Sequence, residues 1–167
     1  EETNHNYLCD MKTVSITVVK INVYDEVSKT SSYTGQKMTD DMSAYDRIFA
    51  TDDDRLMLER FWVESCNTAT QLLKPYITAV NAQPESHGVV LDRNYVVTLS
   101  LSESWDDNVS DSMARSLYSF FVNSIVSKWY KFANKKEAGD YTIEAANNLL
   151  DVKQKLYYRM KPTRIIP

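Results

Sequence analysis

Three adjacent carboxylates, Asp52-Asp53-Asp54, preceded by Asp40, Asp41 and Asp46, are the densest group of oxygen ligands in the chain. Acids of this kind can hold Mg²⁺ or Ca²⁺. Three consecutive side chains point in different directions, however, and the calcium-loop spacing D-x-D-x-D-G is absent. Acids at the start of a helix also complement its dipole. Thr51 and Asp54 have the spacing of a capping box just before a strongly periodic run, so a helix cap is the expected role. Asp106-Asp107-Asn108, ahead of Val109, reads the same way.

The other reactive side chains are scattered. His5 and His87 lack HxxE, HExxH or HxH spacing, and Cys9 and Cys66 have no CxxC companion, so no zinc site is assembled. Plain reduced thiols are expected for the two cysteines, a disulfide staple being the other reading. No G-x-S-x-G elbow is present, and three glycines leave little material for phosphate-cradling loops. No catalytic residue, metal ligand or cofactor is assigned.

Lys153, Lys155, Arg159, Lys161 and Arg164 interleave with Tyr157 and Tyr158 near the C-terminus. Such cations can contact phosphates while the rings stack on bases. Cations also suit a helix C-terminus, and the chain as a whole is acidic, with a formal charge of −4. That total hides a gradient. Residues 1–110 carry 18 acids and 9 bases, whereas residues 111–167 carry 5 acids and 10 bases. A molecule with two electrostatic ends suits copies packed acidic flank to basic flank. Ile165-Ile166, costly to expose, would tuck under the domain or dock into a neighbour.

These groups must be carried by a mainly α (α+β) fold, with three long helices and a shorter one bundled beside a small antiparallel sheet. Val14, Ile16 and Val18 alternate with Thr13, Ser15 and Thr17, which is a strand. Asn22 caps a short helix over about Val23–Ser32, with Gly35 as its exit. Residues 38–50 lean towards coil. After Thr51, the residues Leu58, Phe61, Trp62, Cys66, Ala69, Leu72, Leu73 and Tyr76 share one helical face, and Pro75 marks a kink or stop. Asn81–Gly88 is a loop. Val89–Leu91 and Tyr95–Leu101 then read as a hairpin turning at Asp92-Arg93-Asn94, with the first strand as its neighbour. A long helix to about Ala133 places Val109, Met113, Leu117, Phe121, Ile125, Trp129 and Phe132 on one stripe. A last helix from Asn134 to Lys161 carries Ala138, Tyr141, Ala145, Leu149, Val152, Leu156 and Met160, and stops before Pro162.

Residues 11–161 therefore make one domain with a hairpin at about 88–104, flanked by a polar extension, 1–10, and a short tail, 162–167. The extension has no secretory pattern, and no window of about 18 apolar residues spans a bilayer.

Three segments in order carry a resemblance. They are Val23-Tyr24-Asp25-Glu26-Val27 through Tyr33-Thr34-Gly35; Thr51-Asp52-Asp53-Asp54-Arg55-Leu56-Met57-Leu58-Glu59-Arg60-Phe61-Trp62; and Trp129-Tyr130 followed by Tyr157-Tyr158-Arg159-Met160-Lys161-Pro162-Thr163-Arg164. Together they resemble small neck proteins of tailed bacteriophages, particularly phages of Bacteroides-type gut bacteria, including the crAss-like group. The resemblance implies a virion component made in the host cytoplasm, an adaptor or ring protein between portal and tail. Such proteins form homo-oligomeric rings, commonly of twelve copies, through which DNA passes, and carry no catalytic residues. Asp52, Asp53, Asp54, Arg159, Lys161, Arg164, Ile165 and Ile166 are the expected contact residues. A nucleic-acid-binding accessory protein using the basic Tyr-rich end is the alternative, and a metal-dependent hydrolase using the Asp clusters a third reading.

Overall fold

The computed structural model describes residues 11–37, 50–80 and 93–162. The polar alternation at the start forms β1, Met11–Val18, with Ile16 and Val18 buried and Thr13, Ser15 and Thr17 exposed. It pairs antiparallel with β3, Tyr95–Ser102, in unbroken register from Met11↔Ser102 to Val18↔Tyr95. In β3 the inward residues Tyr95, Val97, Leu99 and Leu101 are buried, so the period of two places one face on the core.

The other neighbour of β3 is β2, Ile77–Val80, giving the sheet order β1-β3-β2. No strand was expected at this place in the chain. Pro75 ends the preceding helix in a tight turn, Lys74–Tyr76, and the chain then goes extended at Ile77-Thr78, where β-branched side chains favour a strand. Val89–Leu91 lies outside the described residues.

Among the described residues, four helices of 18 to 24 residues make up most of the rest: α1, Lys20–Lys37; α2, Arg55–Leu73; α3, Ser110–Ala133; and α4, Lys135–Lys155. The fold is mainly α with a small antiparallel sheet, as the sequence leads one to expect. The first helix is longer than expected at both ends. Its cap is not Asn22 but a distant residue, Asn94, whose Oδ1 accepts from the Lys20 N–H at 3.0 Å. At the other end the helix runs through Gly35, which is buried with Thr34. Packing of that face outweighs the roughly 1 kcal/mol a mid-helix glycine costs.

Central to the bundle is α3, which packs against α1, α2, α4 and β1. Met113, Leu117, Phe121, Ile125 and Trp129 face inward as expected, and Phe120, Val126 and Tyr130 widen the buried stripe. Phe132 departs from it and is 69% exposed. It lies in the last turn of α3, past most of the core, where it stacks on Phe61 with ring centroids 6.2 Å apart. Small hydroxyls let the helices approach closely: Ser65 meets Ser124 at 2.9 Å between α2 and α3, and Ser127 meets Thr142 at 2.6 Å between α3 and α4.

The final helix is shorter than the expected Asn134–Lys161. It ends at Lys155, and Met160, foreseen on its inner face, is exposed. The cause is Trp105. This fully buried indole donates from Nε1 to the Lys155 carbonyl at 2.9 Å. The chain beyond then runs back along residues 104–106, with Met160 N donating to Ser104 O, Asp106 N donating to Tyr158 O, and Trp105 bridging Arg159. No helix among the described residues is long and apolar enough to cross a membrane.

Candidate functional site

Asp54 completes the turn that leads into α2. Its carboxylate accepts from the Thr51 backbone N–H at 2.9 Å and from the Thr51 hydroxyl at 3.0 Å, while Asp54 N donates to Thr51 O at 3.1 Å. This is the reaching-back half of a capping box. Asp53 is exposed, and the side chain of Asp52 lies outside the described residues, as do Asp40, Asp41 and Asp46. Among the described residues no group of three or more His, Cys, Asp or Glu side chains is placed to hold a metal ion. Asp106 is likewise a cap, its Oδ1 accepting from Asn108 N at 3.0 Å, and Asp107 pairs with Lys12 at 2.8 Å.

The basic C-terminal group separates into two kinds of residue. Lys155 turns inward, donating to Asp151, to Ser116 Oγ at 2.8 Å and to Ser112 O at 3.3 Å. Partial burial disfavours ionisation of Asp151, but hydrogen bonds from Lys155 and Ser116 outweigh that and hold its carboxyl below the ordinary value. Arg159 donates from Nη1 to the Leu156 and Tyr158 carbonyls, both at 3.2 Å, tying down the turn that follows α4. Lys153 and Lys161 remain exposed, as do Tyr157 and Tyr158, with Tyr157 edge-on to Tyr76. Arg164, Ile165 and Ile166 lie outside the described residues. The structure therefore brings Arg159 and Lys161 together on one short segment, and Arg159 also has a structural task there.

Two features escaped the sequence reading. One is a buried ion pair between Lys20 and Glu59, with the Tyr24 hydroxyl donating to Glu59 at 3.0 Å and the ammonium 5.7 Å and 5.8 Å from the ring centres of Tyr24 and Trp62. Burial, then the Glu59 charge, pushes the Tyr24 hydroxyl far above its ordinary value. Nothing at Lys20 signals burial, because it follows β1 as a strand-ending polar residue would; Glu59, beside Leu58 in the apolar stripe of α2, was the only hint. The other is a set of exposed apolar residues, Ile143 and Leu150 on α4 and Tyr157 in the turn after it, with 60%, 53% and 56% of their surface open. Their seven-residue spacing is visible in the sequence. It is masked there by the stronger inward stripe, of which Ala138, Ala145, Val152 and Leu156 are buried.

Between the end of α1 and the start of α4 lies an open groove of about 470 Å³ lined by Lys37, Lys136, Glu137, Asp140, Tyr141 and Glu144. Its mixed charges favour no one class of small ligand. Cys66 is a buried free thiol, and burial pushes its pKa up to about 12, far from the range of a reactive cysteine; Cys9 lies outside the described residues. Set against protein-family models, curated proteins and solved structures, the chain matches none of them.

Proposed function

We propose that this chain is a non-enzymatic structural subunit that assembles with copies of itself into a ring in the neck of a tailed phage, extending the portal channel and offering a docking surface to the tail. The observation that carries the assembly half of this reading is the exposed pair Ile143 and Leu150 on α4, with Tyr157, Tyr158 and Met160 also exposed on the segment that follows the helix. Large apolar and aromatic side chains at helical spacing on a surface are what subunit contacts use. The exposed cations Lys153 and Lys161 lie beside them, and exposed acids, Asp25, Glu26 and Asp53, occur on the earlier elements. The excess of acids in residues 1–110 and of bases in residues 111–167 suits a heterologous contact, which closes into a ring when the two flanks complement each other. The neck assignment itself rests on the resemblance of the three segments described above.

Light scattering across protein concentration and salt, with negative-stain images of any large species, tests the proposal. A ring-sized assembly that weakens with salt is the expected result. A monomer at every concentration, and in mixtures with portal and tail proteins, refutes it. The nucleic-acid reading keeps one specific support, the open rings of Tyr157 and Tyr158 beside Lys161. It requires DNA affinity that falls steeply with salt.

A further inference from the structure

Among the described residues the sheet ends in two unlike edges. On one side β2 is four residues long, follows a proline turn and is irregular between Ile77 and Ala79. Short and bulged edges are how sheets resist further pairing. On the other side β1 is eight residues long and continuous in register. It contains no proline or glycine and a single charge, Lys12, whose ammonium is engaged by Asp107 and the Trp105 carbonyl. Among the described residues β3 is the one strand that pairs with it. Alternate backbone N–H and C=O groups of β1 therefore point away from the sheet and form a template for another extended strand.

The geometry points to β1 of a second copy as that strand, in an antiparallel two-fold pairing centred on Ser15. The occupant must keep apolar residues on the core side and polar ones on the solvent side, because a slip of one residue would reverse its faces. The alternation of β1 meets that demand against itself. With Ser15 opposite the same residue of the second copy, Thr13 faces Thr17 on the solvent side and Val14 faces Ile16 on the core side. These are hydroxyl and β-branched pairs of the kind that stabilise sheets. Lys12 falls opposite Val18, so the two ammonium groups sit at opposite ends of the ladder and no like charges meet. The result is one six-stranded sheet across a two-fold axis. This contact is separate from the lateral faces of the proposed ring and stands or falls without them.

Engineered cysteines in the full-length chain test it, in a Cys9→Ala background where the remaining thiol, Cys66, is buried. Opposed residues in antiparallel strands have Cα atoms about 4.5–5.5 Å apart, within disulfide reach. Under mild oxidation Ser15→Cys is expected to form a covalent dimer at least about tenfold faster than Thr17→Cys, the gain from holding two thiols in register. Thr13→Cys and Thr17→Cys proteins should couple when mixed but not singly. All three positions are exposed, so the variants should melt with the parent protein. Folded Ser15→Cys that stays monomeric, as it would were another segment of the same chain on this edge, overturns the proposal. Equal rates at residues 15 and 17, the mark of random collision, overturn it as well. Ring formation is read separately, as mass beyond that of a dimer in the unmodified protein.

Discussion

Replacing Glu59 with Gln leaves the Lys20 ammonium buried without its carboxylate, in a site where the two side chains are 3% and 15% exposed. Breaking a buried pair by removing one partner costs about 3–5 kcal/mol, most of it the desolvation of the charge left behind. The faces of Tyr24 and Trp62, near 6 Å from the ammonium, return about 0.5–2 kcal/mol of this, so the expected loss lies near 3 kcal/mol. Lys20→Met should cost less, because Glu59 keeps the Tyr24 hydroxyl and is the more open of the pair. Changing both, Lys20→Met with Glu59→Gln, removes both charges while the amide oxygen can still accept from the Tyr24 hydroxyl, and should cost clearly less than the sum of the two single losses. Urea unfolding followed by Trp fluorescence reads all four proteins, with Trp62 inside the affected site. For a chain of this size a loss of about 3 kcal/mol lowers Tm by about 6–12 °C. Additive behaviour, in which the double variant loses the sum of the two single losses, would refute the argument that the pair is held by mutual compensation.

Asp151→Asn should lower stability by up to about 1 kcal/mol at neutral pH, discounted for the partial exposure of the group. The folded-state pKa of Asp151 is depressed, so its contribution is fully present above the unfolded value near 4 and is lost as pH falls through the folded one. The Tm gap between variant and parent should accordingly narrow below about pH 4, and a gap independent of pH would count against the assignment. In Cys9→Ala protein, a thiol reagent at about pH 8 should label Cys66 only at the rate of unfolding, whereas immediate labelling would contradict its burial. Lys153→Glu, Lys161→Glu and Arg164→Glu together should dissociate the assembly and leave Tm unchanged, as measured by light scattering and melting; Arg159 is spared because its guanidinium holds the Leu156 and Tyr158 carbonyls after α4.

Local patterning revealed most of the architecture. The period of two in β1 and β3 and the three-and-four spacing in α2, α3 and α4 survive folding because each marks a face pressed on the same core. What escaped depends on residues far apart in sequence. Asn94 starts α1, and Trp105 stops α4 at Lys155, well short of the proline that was expected to end it. Neither partner carries a local signal, so the ends of both helices were misplaced although the helices themselves were not. The turn before α2 shows the converse: Thr51 and Asp54 are close neighbours in sequence, and the cap was legible from their spacing. Of the expected contact residues, Arg159 proved to be partly occupied with the carbonyls of Leu156 and Tyr158, a role that becomes apparent only once the chain is seen to turn after Lys155.

The antiparallel pair α3 and α4 is joined through the single residue Asn134, whereas the β1–β3 ladder connects Met11 with Ser102. Loop closure makes the second far slower to nucleate than the first. During refolding the C-terminal helical hairpin should therefore condense early, with its inward stripe already in place, and the sheet should zip up afterwards against a preformed wall. Substitutions at the α3–α4 contact, such as Val152→Ala, will then slow folding, while those in β1, such as Ile16→Val, will chiefly speed unfolding. The N-terminal strand is thus the last piece to be secured and the first to be released.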